Sequence, residues 1–227
     1  MSVALFDLDN TLLDGDSDYE WGRFLVDHGV VDGAEYERRN REFYAQYRAG
    51  RLDIHAFAAF AYTPLATLPM ERLLALRETF LRERIRPMML PAALALIAEH
   101  RRRGHRILVV TATNRFVTEP IAAAFGADDL IATEPVFRNG RYEARIAGVP
   151  AFREGKTVRV RQWLDRHGET WADSWFYSDS HNDLPLLEAV DHPVAVDPDE
   201  KLAQVARQRG WPIVTLRDGR TARALHG

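Results

Sequence analysis

The sequence predicts an α/β protein: a mainly parallel sheet flanked by helices and interrupted by one all-helical insert. Two observations predict the sheet. From Pro87 onward, strand-like apolar runs alternate with helical stretches, as they do in a parallel sheet joined by crossover helices. Several of those runs, and the first run of the chain, end in polar residues of the kind that line a ligand crevice. A third observation predicts the insert, since residues 16–84 contain long helical stretches and no convincing strand.

Taken in order, Val3-Ala4-Leu5-Phe6 is a short apolar run followed by Asp-Leu-Asp-Asn-Thr, which reads as a buried parallel strand with a polar C-terminal end. The insert then shows four helical stretches rich in aromatics, arginine and glutamate: Tyr19 to His28, Glu35 to Arg48, Ile54 to Tyr62 and Met70 to Arg84. Pro91 to Arg103 is helical, with Gly104 as its stop. Arg106 to Val110 is a β-branched strand ending at Thr111, Asn114 to Phe125 is a helix, and Asp129 to Thr133 is a strand. Asn139-Gly140 between two extended runs signals a hairpin, because both turn residues need positive φ. Gly155 to His167 is helical, and Ser174 to Tyr177 is a strand that ends in Ser178-Asp179. Asn182 to Ala189 and Glu200 to Gln208 are helical, Pro193 to Val196 is a strand, and Pro212 to Leu216 is a last edge strand. The expected domains are a core of residues 1–15 and 85–227 and a helical unit of residues 16–84.

Composition narrows the function classes. The 227 residues, 46% hydrophobic and 28% charged, are enough to bury a sizeable core. A net charge of -3 provides no basic field for nucleic acid. There is no cysteine, which excludes disulfides, thiolate metal sites and cysteine nucleophiles. The N-terminal apolar run is broken by Asp7 and lacks a basic lead, so it is not a signal peptide, and no run reaches the ~18 apolar residues of a membrane span. The expected location is cytoplasmic; monomer and homodimer both remain open.

The polar strand ends suggest a chemistry. Asp7 and Asp9 lie two residues apart. A carboxylate attacking phosphorus forms an acyl phosphate that water then cleaves, and a second carboxyl can exchange protons with leaving group and water. Close carboxyls tend to have separated pKa values, which suits that division. Asp7 with Asp179 can hold Mg²⁺, which prefers oxygen ligands, and Asp183 can be a further ligand or orient the metal's waters. Lys156, at a predicted helix start, can neutralise both phosphate and carboxylate. Thr111 opens a loop before a helix, where a hydroxyl and free N–H groups can hold phosphate oxygens. Each residue also has a plain structural reading. The Asp pair can serve a turn or cap, Thr111 an N-cap, Lys156 a solvated helix start, and Asp183 the charge of a first helical turn. It is their joint order that favours catalysis. His181 reads as a loop residue, since Mg²⁺ takes oxygen ligands. The aromatics Trp21, Phe24, Tyr44, Tyr47, Phe57, Phe60 and Tyr62 read as packing between the insert helices, with one or two facing substrate.

These motifs, Asp7-Leu-Asp9-Asn10-Thr11, then Thr111 after an apolar strand, then Lys156, then Asp179-Ser-His-Asn182-Asp183, resemble the four motifs of the haloacid dehalogenase superfamily in type and order. The early helical insert is similar to the cap of its phosphoserine phosphatase branch. The resemblance implies a Rossmann-like core with a helical cap and a phosphatase that acts on a small phosphorylated metabolite with Mg²⁺. It implies Asp7 as nucleophile and Asp9 as acid/base, the latter's backbone carbonyl also holding the metal. It further implies Thr111, Ala112 and Lys156 as phosphate contacts, Asp179 as a metal ligand, Asp183 behind it, and Asn182 near substrate. Asp16 aligns with a substrate-facing glutamate of phosphoserine phosphatases, and Ala59 with their carboxylate-binding arginine. Asp16, with Asp18 and Glu20 nearby, favours a cationic leaving group, the missing arginine disfavours a carboxylate, and histidinol phosphate fits. Arg39, Arg48 or Arg51 supplying the carboxylate partner would restore phosphoserine as the substrate. Two more readings stay open: phosphoryl transfer to an acceptor alcohol in place of water, and a non-catalytic binding protein of the same fold.

Overall fold

The computed structural model describes residues 2–225. The chain starts in strand β1 (Val3–Phe6) and leaves the sheet at once for five helices, α1 (Ser17–Asp27), α2 (Gly33–Arg48), α3 (Ile54–Ala61), α4 (Thr63–Thr67) and α5 (Met70–Phe80). A π-helical turn, Leu81–Ile85, and a short α6 (Arg86–Met88) bring it back. There Leu13 and Met89 form an antiparallel bridge, and the Asp14 N–H donates to the Met88 carbonyl at 2.8 Å, so the outgoing and returning segments are joined at one point. The alternating region follows: α7 (Pro91–Arg102), β2 (Arg106–Asn114), α8 (Arg115–Ala124), β3 (Asp129–Thr133), the hairpin β4 (Pro135–Arg138) and β5 (Arg141–Ile146), and α9 (Glu154–His167). It continues as β6 (Trp175–Ser178), a 3-10 turn His181–Asp183, α10 (Leu184–Leu187), β7 (His192–Val196), α11 (Glu200–Arg209), β8 (Ile213–Thr215) and β9 (Arg223–Ala224).

Seven strands form one sheet in the order β3-β2-β1-β6-β7-β8-β9, all parallel except β9. The strand order reverses at β1, with β2 on one side and β6 on the other, and ligands bind in such a crevice beyond the carboxyl ends. Alternation along β1 shows why its four residues are all apolar: Ala4 and Phe6 enter one core, Val3 and Leu5 the other. The first core is continuous with the helical insert through Trp21, Phe24 and Phe80, whose rings lie 5.1–5.6 Å apart. Each such fully buried aromatic contributes roughly 2–3 kcal/mol by leaving water. The second core packs α9, α10 and α11 against the opposite face through Val160, Leu164, Leu186 and Leu202.

Most elements follow the sequence-based expectation, and the departures have local causes. β2 runs three residues past Thr111, its pairing with β3 shifting register between Thr111 and Asn114. Asn114 then caps α8, accepting from the Val117 N–H at 3.1 Å. α4 escapes a reading by apolar period because it is one short turn started by Pro64. The predicted last edge strand is β8, but it is not the edge: β9 pairs antiparallel outside it, and two residues are too few to show a pattern. The hairpin projects from the sheet, and Tyr142, Ala144 and Ile146 of β5 pack on the core that the insert shares. No helix among the described residues is long and apolar enough to cross a membrane.

Candidate active site

The carboxyl ends of β1, β2 and β6 and the start of α9 bring together the residues singled out by the motifs. Asp7 follows β1 directly and is buried, its N–H donating to the Tyr177 carbonyl of β6 at 2.9 Å. The chain then turns sharply, with the Leu12 N–H on the Leu8 carbonyl at 2.9 Å. Asn10 sits in the left-handed region at φ 59°, which asparagine tolerates better than most residues. That turn aims Thr11 back at the site. Its Oγ1 accepts from the Asp179 N–H at 3.1 Å and lies 3.3 Å from Asp7 Oδ2 and 3.1 Å from Asp179 Oδ1, locking the ends of β1 and β6 together.

Lys156, in the first turn of α9, is 2% exposed and donates 2.7 Å hydrogen bonds to Asp7 Oδ1 and to Asp183 Oδ2. Asp183 Oδ2 also accepts from Ser178 Oγ at 2.7 Å. Burial alone pulls the ammonium down, but Asp183 and Asp7 overturn this and hold it above the ordinary lysine range. Burial raises the Asp7 carboxyl, Lys156 pulls against it, and the charges of Asp183 and Asp9 add to the rise, leaving it at about 7. Asp179 is raised by burial and then by Asp7 and Asp183.

Three carboxylates therefore face one ammonium, an excess of negative charge that a divalent cation would offset. The donors fit magnesium: Asp7 and Asp179 present oxygens, and the Asp9 carbonyl belongs to the same turn. Among the described residues, no three acidic or histidine side chains form a ready-made cage. Magnesium is commonly held by one or two carboxylates together with substrate phosphate and water, rather than by such a cage.

Asp9 is fixed from three sides. Its Oδ1 accepts from the Ser17 N–H at 2.6 Å, and its Oδ2 from Thr113 Oγ1 at 2.8 Å and Thr111 Oγ1 at 3.3 Å. Thr113 lies outside the residues that the motifs single out. Strand alternation from Thr111 points to it once β2 is extended by two residues. Beyond Asp9 opens a cavity between the sheet and the insert. Asp7, Asp9, Thr111, Ala112 and Thr113 line its sheet side; Asp16, Asp18, Asn40 and the aromatics Tyr19, Phe43, Tyr44, Tyr47 and Phe57 line the rest. No arginine is among the described residues lining it. The Arg39 guanidinium lies 4.5 Å from the Phe60 ring centroid, Arg48 lines a neighbouring groove, and Arg51 is exposed.

Asp16 reaches the cavity and also caps α1, its Oδ1 accepting from the N–H groups of Asp18 at 3.0 Å and Tyr19 at 2.8 Å. Asn182 lies at the seam between core and insert. Its Nδ2 donates to the Tyr47 carbonyl at 3.2 Å, and its Oδ1 accepts from Arg153 Nε at 3.3 Å. Arg153, also outside the motifs, donates a second bond to the Gly50 carbonyl. His181, expected in a loop, opens the 3-10 turn His181–Asp183, its Nδ1 2.6 Å from Asp199 Oδ2.

This fold and this set of residues define a hydrolase class, and comparison with known proteins agrees. The family model for haloacid dehalogenase-like hydrolases matches residues 4–188. A histidinol-phosphatase of Neisseria meningitidis serogroup C is 41% identical over 220 residues, covering 95% of this chain and 99% of that one. A crystal structure of a protein with unknown function from Bordetella pertussis superposes with a TM-score of 0.89 at 47% identity, covering 95% of this chain and 98% of that one. A substrate-bound phosphoserine phosphatase superposes with a TM-score of 0.68 over 89% of both chains; at 19% identity that is a likeness of fold. The chain belongs to the haloacid dehalogenase-like hydrolases, as an enzyme of their phosphatase type.

Proposed function

We propose that the enzyme is a magnesium-dependent phosphomonoesterase that passes the phosphoryl group through Asp7, and that its substrate is histidinol phosphate. One observation carries the chemistry: a buried carboxylate at the sheet switch point is held 2.7 Å from a buried ammonium and opens on a cavity roofed by the insert. In this reading an oxygen of Asp7 attacks phosphorus, the bond to the leaving alkoxide breaks, and Asp9 gives that alkoxide its proton. Asp9 then takes a proton from water as the water attacks phosphorus, and Asp7 leaves as carboxylate. Lys156 offsets phosphoryl charge, Asp183 and Ser178 hold Lys156 in place, and Thr111 and Ala112 contact phosphate oxygens. Asp7, Asp179 and the Asp9 carbonyl, with Asp183 behind them, would hold magnesium, which would supply charge neutralisation at the phosphoryl group.

Residues 16–84 act as a cap that keeps water from the acyl phosphate, and Asn182 with Arg153 helps hold it down. The substrate reading rests on the cavity's acids, the lack of an arginine among the described residues along it, and the 41% identical histidinol-phosphatase. A carboxylate-bearing leaving group would meet like charge and no counter-ion there. Steady-state kinetics with magnesium test this. kcat/KM for histidinol phosphate should exceed that for phosphoserine by roughly 10-fold or more; the reverse order contradicts the substrate reading.

A further inference from the structure

Resting on that phosphatase reading, we propose that Asp18 is the specificity-determining residue: its carboxylate receives an ammonium on the leaving group, between aromatic walls that take the leaving group's flat part.

Four carboxylates line the cavity. Asp7 is bonded to Lys156, Asp9 to Ser17, Thr111 and Thr113, and Asp16 to two N–H groups of α1. Each of these charges is thus already committed to a donor. Asp18 is not. Among the described residues, no hydrogen bond or ion pair reaches its side chain, although its N–H serves the α1 cap. Burial and then the charge of Asp9 raise its carboxyl to about 7. Leaving such a group without a partner costs stability, and a protein keeps that cost where binding needs it.

The surroundings specify the partner. Tyr19 and Tyr44 line the same cavity with ring centroids 5.0 Å apart and planes tilted by 34°, and Phe43 and Phe57 line it too. Aromatic faces attract cations and stack on flat rings. Asn40 is buried, and its Nδ2 is spent on the Tyr19 carbonyl at 3.0 Å. A Cβ at Gly22 would come within 2.7 Å of that nitrogen, so α1 carries a glycine where Asn40 packs against it. This wall is therefore built to hold Tyr19 in place. An anionic leaving group would face Asp18 with no cation among the described residues along the cavity, and a neutral one would leave its charge unpaired. A leaving group with an ammonium and a planar ring satisfies both features.

The test compares histidinol phosphate with its des-amino analogue, in wild type and in Asp18→Asn, with magnesium. Taking the ratio of the two kcat/KM values within each enzyme cancels any general loss of turnover. A charge-assisted hydrogen bond predicts a wild-type preference of roughly 10- to 100-fold for the amine, falling to about 3-fold or less in Asp18→Asn. Asp18→Glu should keep part of the preference. Removing an unpaired charge should also raise the melting temperature of Asp18→Asn, whereas loss of a structural contact would lower it. If Asp18→Asn does not fold, Asp18→Ser carries the same comparison. An unchanged ratio in a folded variant overturns the role of Asp18 while leaving the phosphatase reading intact. A wild-type enzyme that turns over neither ester but hydrolyses an aryl phosphate overturns this proposal and the substrate, and one that hydrolyses none of the three overturns the phosphatase reading as well.

Discussion

Lys156 is the residue on which the site's electrostatics turn. It is held at 2.7 Å by Asp7 and by Asp183, so the proposed nucleophile and its counter-ion are positioned before substrate arrives. Charge balance around it leads to a prediction with a definite sign. The folded-state carboxyls of Asp7 and Asp18 stand at about 7, against an ordinary value of 3.8. Between those values the folded protein holds protons that the unfolded chain has lost. Their contribution to stability is therefore full below about pH 4 and lost as pH rises through about 7. Metal-free protein should melt at a lower temperature at about pH 8 than at about pH 6. Magnesium should restore more stability at the higher pH, where fewer protons compete for the carboxylates. Scanning calorimetry at both pH values, with and without magnesium, measures this; equal magnesium shifts at the two would contradict it. The sequence singled out Asp7, Asp9 and Lys156 because each follows a recognisable strand end or helix start, and the structure brings Lys156 onto Asp7. It did not show that Asp18 lacks a partner, since that depends on where three other carboxylates find their donors.

At the scale of elements, the decisive contact is the seam between α9 and the end of α2. Arg153 precedes α9 at φ 50°, outside the range a non-glycine residue prefers, and its side chain ties Gly50 to Asn182. Asn182 in turn holds the Tyr47 carbonyl. Cutting the link should let the helical segment open more often and weaken substrate retention. Arg153→Ala should raise KM several-fold and change kcat less, with faster amide exchange at residues 47–51. Unchanged KM and unchanged exchange there would show that the seam is not a closure contact. Nothing in the local sequence around Arg153 announces this role, because its partners lie 103 and 29 residues away. The longer helices of the insert were legible as stretches rich in aromatic and charged residues, while α4 was not. The π-helical turn at Leu81–Ile85 was not, because the helical pattern runs straight through it.

Across the whole molecule, the fold was legible because a parallel sheet writes its strands as apolar runs and its ligand crevice as polar residues at their ends. Asp7, Thr111 and Asp179 are far apart in the chain, yet the strand order β2-β1-β6 makes them neighbours. What stayed hidden was the extent of β2 past Thr111 and the outer pairing of β8 with β9, which depend on neighbouring strands rather than on local pattern. In the proposed mechanism this assembly turns Asp7 into a phosphoryl acceptor. The most direct measurement is acid quenching of enzyme mixed with histidinol phosphate and magnesium, followed by mass analysis of the peptide carrying Asp7. A phosphoryl adduct on Asp7 that is absent when substrate is omitted, together with loss of phosphate release in Asp7→Asn, is the predicted result. Phosphate release that persists in Asp7→Asn, or an adduct on another residue, would contradict it.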